Sequence, residues 1–171
     1  MNSLFPQLKE GDTMAHINEL IDFTIAVYIV HDDKVLLIHH KQLLKWLPIG
    51  GHIELNEDPE EALFREIQEE CGLEVEVAGT KPTLNEVGTK SLLPPVYLNI
   101  HDIKLPHRHV GFIYFARAKS DKFAHNKEEH NDIRWFMADE LSDPQYVIGE
   151  YVRYYAKHAL EHFHDKGEKN A

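Results

Sequence analysis

Residues 58–72, DPEEALFREIQEECG, constrain this chain more than any other stretch. They predict a helix from about Asp58 to Cys71. Asp58 is a helix-capping residue, and Pro59 falls at the first helical position, where a missing N–H costs nothing. Glu60 and Glu61 favour the positive end of the helix, and Gly72 is suited to stop it. Leu63, Ile67 and Cys71 recur at four-residue spacing, with Phe64 beside them, giving a face to bury. A helix with one apolar stripe needs a sheet or a second helix to cover it, so the rest of the chain must supply one.

The polar side of this helix is unusual. Between Trp46 and Leu73 the chain carries seven glutamates, one aspartate and a single arginine. Glu66, Glu69 and Glu70 stand at i, i+3 and i+4, so their carboxylates converge within roughly a third of the circumference. Left alone they repel one another. A solvated acidic face is the common explanation for such residues. The other is a hard divalent cation, Mg²⁺ or Mn²⁺, which takes carboxylate oxygens, waters and substrate phosphates. Gly50-Gly51 just ahead allows close backbone approach to an ion or phosphate, and a carbonyl from this turn is a further candidate ligand. Arg65 points about 100° from Glu66 on the helical wheel. It reads as a carboxylate-orienting or packing residue, with Glu61 and Glu69 each one turn away as partners.

The flanking sequence supplies the sheet. Phe23 to Val30 and Lys34 to His39 read as a hairpin around His31-Asp32-Asp33. Glu74 to Ala78, Val96 to Ile103, His109 to Ala118 and Ile133 to Phe136 read as further strands, with loop around Lys81 to Pro95 and a connection from Lys104 to Arg108. Asp139 to Leu141 opens a short helical turn, and Gln145 to Phe163 reads as a C-terminal helix. Residues 1–20 are mixed and irregular, with a short helix in Ala15 to Asp22. Strands on both sides of a central helix, with a late second helix, predict an α/β domain spanning residues 1–171.

A formal charge of −11 disfavours nucleic-acid and anionic-membrane partners, both of which need a basic surface. It leaves an anionic substrate open, because a cation inverts the local field. One cysteine precludes an internal disulfide and fits a reducing compartment. With no leader and no spanning apolar run, the expectation is a cytoplasmic protein.

From Gly51 to Leu73 the chain resembles the Nudix (MutT-like) hydrolase family. Gly51, five residues, Glu57, seven residues, Arg65-Glu66, Ile67, one residue, Glu69-Glu70, one residue, Gly72 and Leu73 fill every fixed position of the family's box. Many relatives read PGG where this chain has Pro48-Ile49-Gly50-Gly51, a small departure that keeps the glycine pair. The resemblance implies an α/β/α sandwich with a mixed central sheet. It implies hydrolysis of a pyrophosphate bond in a nucleoside diphosphate-linked substrate, dependent on Mg²⁺ or Mn²⁺.

Carried over by residue, Glu66, Glu69 and Glu70 are the implied metal ligands, with the Gly50 carbonyl in addition. Glu57 is the implied helper, through water or by holding the loop, and Arg65 the orienting residue. Glu128 and Glu129 lie where relatives often supply a further glutamate, and Glu129 is preferred as general base. For substrate, Trp46, His107 and His109 are singled out, with Tyr28, Tyr97, His101 and Tyr114 behind them. A nucleoside triphosphate, normal or damaged, yielding monophosphate and pyrophosphate is the favoured small-molecule substrate. ADP-ribose or a nucleotide sugar is the alternative, followed by a non-catalytic nucleotide-binding module. The last helix is read as packing on the sheet, with a homodimer a family-based expectation.

Overall fold

The computed structural model describes residues 17–84 and 86–167. Seven strands form one mixed sheet: β1 (Ile21–His31), β2 (Lys34–His40), β3 (Trp46–Leu47), β4 (Val75–Val77), β5 (Tyr97–Lys104), β6 (His107–Ala118) and β7 (His130–Met137). Helix α1 is Pro59–Glu70 and α2 is Glu150–Gly167, with a 3₁₀ turn at Glu140–Ser142.

β1 is the centre of the sheet. It pairs antiparallel with β2 through the Asp32-Asp33 turn, and parallel with β6 from Ile21↔Arg108 to Val30↔Arg117. The other edge of β6 carries β5 and β4 end to end, and β2 carries β3 and β7. Alternation along β1 then divides the core in two. Ile25, Val27 and Ile29 face α1, where Ala62, Leu63, Ile67 and Cys71 cover them. Tyr28 and Val30 face the opposite side, where Val152, Tyr155, Ala156 and Ala159 of α2 pack. The α/β/α sandwich is therefore present, and α2 lies on the sheet.

The caps on α1 are as the sequence predicts. Asp58 accepts the Glu60 and Glu61 N–H groups, and the Glu61 carboxylate accepts the Asp58 N–H in return. Gly72, at φ 62°, ends the helix and donates to the Ile67 carbonyl. Phe64 departs from expectation: at 45% exposure it lies off the apolar stripe, one residue past Leu63. Ile49 packs fully buried beneath the glycine loop.

Three expectations need correction. His107 and Arg108 are strand, not connection, because β5 and β6 turn tightly at Leu105-Pro106 and pair again at Lys104↔His107. The last helix starts at Glu150 rather than Gln145, since the Trp46 N–H donates to the Val147 carbonyl and Ile148 bridges to Trp46. That backbone extends the sheet edge and is not free to coil. The short helix expected over Ala15 to Asp22 is bend at 17–20 and strand from Ile21, its first two residues lying outside the described ones. No described helix is long and apolar enough to cross a membrane.

Candidate active site

The glycine pair answers to two different neighbours. Residues Ile49 to Ile53 run antiparallel to β1: Val27 and Ile25 donate to the Ile49 and Gly51 carbonyls, and Ile53 donates to Phe23. Gly50 adopts φ 150°, and a Cβ there would lie 2.2 Å from the Ile25 carbonyl oxygen. A Cβ on Gly51 would lie 2.3 Å from Glu66 Oε1. Gly50 is thus demanded by the backbone of β1, whereas Gly51 is demanded by a carboxylate of α1. In this ladder the Gly50 carbonyl falls between the two that β1 uses, so it is turned off β1.

Arg65 ties the loop to the helix. Its Nε and Nη2 grip Glu57 in a fork at 2.6 and 2.9 Å. Nη1 reaches Glu66 at 2.7 Å and Glu69 at 3.1 Å, and Nη2 also meets the His52 carbonyl at 3.0 Å. All five guanidinium N–H groups are directed at acceptors. The long side chain overcomes the 100° offset from Glu66, and of its two expected partners it takes Glu69, while Glu61 serves the cap. Glu57 is held well below the usual carboxylate range by the Arg65 hydrogen bonds, and it also accepts the Glu54 N–H. It is engaged in holding the loop.

Glu66 and Glu70 are only 8% and 5% exposed. Burial raises the Glu66 carboxyl, against the opposing Arg65 hydrogen bond. Glu70 is pushed up to about 8, first by burial and then by the charges of Glu66, Glu129 and Glu69, although its carboxylate accepts the Gly50 N–H at 2.8 Å. Glu69 is half exposed at the rim. Glu66 and Glu70 therefore line one wall of a cleft with Glu69 beside them, and a single guanidinium does not neutralise the three. The desolvated, mutually repelling carboxylates of Glu66 and Glu70 suit a hard dication such as Mg²⁺ or Mn²⁺, with Glu69 and the Gly50 carbonyl as further candidate ligands.

Glu129 joins them from the other side of the chain. Asn126 Nδ2 donates to Glu129 Oε1 at 2.9 Å and to the Glu69 carbonyl at 3.3 Å. Lys41 Nζ clamps the same loop through the carbonyls of Lys127 and Glu128, at 2.6 and 2.8 Å. Glu128 lines the cleft too, but Glu129 is the one whose charge reaches both Glu66 and Glu70. Asn126 and Lys41 were not evident in sequence; only the contacts of the folded chain distinguish them from other polar residues.

The cleft has a volume of about 950 Å³ and runs from Glu66, Glu70 and Glu129 past Tyr28 to Asn99 and His101. Trp46 is not on its wall. Its ring is buried edge-on against Phe136 and Tyr146, where a partnerless indole face is unavailable for stacking. His107 also lies off the cleft, buried against Asp22 at 3.4 Å. His109 does line it, but burial and the neighbouring imidazoles hold it down at about 4, so at neutral pH it meets a ligand uncharged. Tyr114 is core under α1, and Tyr97 packs on α2, donating or accepting at His158 Nδ1.

A model described as the NUDIX domain matches residues 22–156. The fold is similar to a crystal structure of a NUDIX-family hydrolase from Clostridium perfringens, with TM-score 0.72 and 34% identity, covering 83% of this chain and 97% of that one. It is similar to a MutT NUDIX hydrolase from Burkholderia pseudomallei at TM-score 0.61 and 26% identity, over 84% and 98% of the two chains. A probable DHNTP pyrophosphohydrolase of Lactococcus lactis subsp. cremoris is 24% identical over 138 residues, 81% of this chain and 75% of the relative.

Proposed function

The chain belongs to the NUDIX hydrolase family, and from that premise we propose that it cleaves a nucleoside triphosphate to the monophosphate and pyrophosphate. The observation that carries this reading is the placement of buried Glu66 and Glu70 with Glu129 at one end of a cleft of about 950 Å³. That volume lies within the range of small-molecule sites and accommodates a base, a sugar and a phosphate chain. The Lactococcus relative, named as a probable DHNTP pyrophosphohydrolase, supports cleavage at a pyrophosphate bond.

A divalent cation, when bound, supplies neutralisation of the phosphoryl oxygens and activation of water. Glu66, Glu69 and Glu70, with the Gly50 carbonyl, are the residues that would hold it. Arg65 keeps the Glu66 and Glu69 carboxylates turned toward one point and ties them to the loop through Glu57 and His52. Glu129 takes the proton from the attacking water, as its loop is clamped by Lys41 and Asn126 beside that point. Asn99, His101 and Tyr28 line the far end, where a base or sugar would lie.

The test is a substrate panel with Mg²⁺ or Mn²⁺: nucleoside triphosphates, 8-oxo-dGTP, ADP-ribose, nucleotide sugars and dinucleoside polyphosphates, with products separated by chromatography. Monophosphate and pyrophosphate from a triphosphate would support the proposal. Turnover of ADP-ribose or a nucleotide sugar alone would replace it with the diphosphatase reading, and binding without turnover would favour a nucleotide-binding module.

A further inference from the structure

A second cluster of metal-ligating side chains stands apart from the glutamates. The parallel register of β1 and β6 places Asp22 beside His109. His107, two residues earlier on β6, shares the same face. Thr24 bridges to His52, which follows Gly51, so the glycine loop brings a third imidazole to the group. Asp22 is fully buried, and His107 and His109 are 6% and 5% exposed.

Asp22, His107 and His109 stand close enough to share one ion, with His52 beside them. One ligating atom from each of Asp22, His107 and His109 lies within 4.8 Å of the others. Asp22 Oδ2 is 3.4 Å from His107 Nε2. His52 Nε2 is 3.5 Å from the same Oδ2 and 3.4 Å from His109 Nε2. Donor atoms each about 2.0–2.1 Å from a tetrahedral Zn²⁺ stand roughly 3.3–3.4 Å from one another.

The outer atoms are fixed as metal ligands require. His107 Nδ1 lies 3.2 Å from the Glu19 carbonyl, which can only accept, so Nδ1 carries the hydrogen. His107 Nε2 then faces the Asp22 carboxylate across 3.4 Å, a pair of donor atoms that one cation can bridge. Asp22 is anchored in turn: Oδ1 accepts the Asn18 N–H at 2.6 Å and Asn18 Nδ2 at 3.1 Å, and Oδ2 accepts the Ile17 N–H at 3.0 Å. Orienting partners of this kind surround ligating histidines and carboxylates in metal sites.

We infer that Asp22, His107 and His109, with His52 as fourth ligand, form a Zn²⁺ site distinct from the glutamate cluster. A nitrogen-rich set selects zinc over the Mg²⁺ that suits all-oxygen glutamates. With His52 recruited as the fourth ligand the site would be closed, and its role structural. It joins the starts of β1 and β6 to the loop of Gly51, and the carbonyl of its ligand His52 is the one that Arg65 grips. The ion thereby braces the loop against which Glu66 is set. The alternative is a proton-shared network of imidazoles on Asp22.

The full chain carrying Glu66→Gln and Glu70→Gln, which disables the glutamate cluster, is equilibrated with Zn²⁺ alone, dialysed and analysed for metal by mass spectrometry. One tightly held Zn²⁺ per chain is expected, and Co²⁺ in its place should give the intense visible bands of tetrahedral coordination. Adding His109→Gln should cut affinity by more than the roughly 10–100-fold that loss of an orienting partner costs. His52→Gln, a milder change at the least buried ligand, should weaken zinc with the fold intact by circular dichroism. Absence of bound Zn²⁺ in a folded Glu66→Gln/Glu70→Gln chain would overturn the site. So would a weak octahedral Co²⁺ spectrum, or zinc affinity unchanged by His52→Gln.

Discussion

Gly51→Ala separates catalytic geometry from stability. The added methyl would sit 2.3 Å from Glu66 Oε1 and 2.8 Å from its Cδ, where ordinary contact begins near 3.4 Å. The carboxylate must therefore retreat by about 1 Å, and a displacement of that size at a reacting centre costs about 100-fold in rate. That corresponds to about 2.7 kcal/mol in the barrier. The obstacle is the end of a flexible side chain and not backbone, so folding should be little affected. Gly50→Ala is the contrast: its methyl would meet the Ile25 carbonyl at 2.2 Å from a φ of 150°, and the whole loop must move. Steady-state hydrolysis and thermal unfolding of both variants supply the assay. The expected pattern is Gly51→Ala with a Tm near wild type and kcat/KM down about 100-fold, and Gly50→Ala with a clearly lower Tm. Full activity in Gly51→Ala, or equal Tm losses in the two variants, would refute the assignment of Gly51 to Glu66.

Three further outcomes follow from the same structure. Glu70 sits at about 8 in the metal-free protein against an ordinary 4.5; because that value is raised, its contribution to stability is full below about 4.5 and lost as pH rises through 8. Metal-free Tm should fall over that window while stabilisation by Mg²⁺ grows, as the cation displaces the proton, and Glu70→Gln should flatten both trends. Arg65→Lys cannot reproduce the fork on Glu57 together with the Glu66 contact, so Mg²⁺ affinity measured by titration should weaken about 10–100-fold. Leu63→Ala empties a fully buried position between α1 and β1 and should cost about 2–5 kcal/mol in urea unfolding.

The local signals of α1 were legible because they are local: cap, proline, apolar stripe and terminal glycine all act within one helix. Strand alternation likewise placed β1, β2 and β6 within a few residues. What sequence could not show were the contacts made between distant segments. Trp46 looks like a stacking residue until the backbone at Val147 and Ile148 joins β3 and its ring is sealed into the core. His107 and His109 look like a basic patch, but the β1–β6 register sets them against Asp22, a residue with no distinguishing neighbours in sequence. Glu128 and Glu129 are alike in sequence; in the fold it is Glu129 that accepts from Asn126 Nδ2 and whose charge reaches Glu66 and Glu70.

The most direct measurement is Mg²⁺-dependent hydrolysis of a nucleoside triphosphate by wild type and Glu70→Gln, with folding checked on both. The amide oxygen of glutamine can still accept the Gly50 N–H, so the loop is preserved while the charge is lost. The account predicts monophosphate and pyrophosphate from wild type and a loss of about 10²–10³-fold in kcat for the variant, the scale of removing one electrostatic stabiliser. Undiminished turnover by a folded Glu70→Gln protein would contradict it.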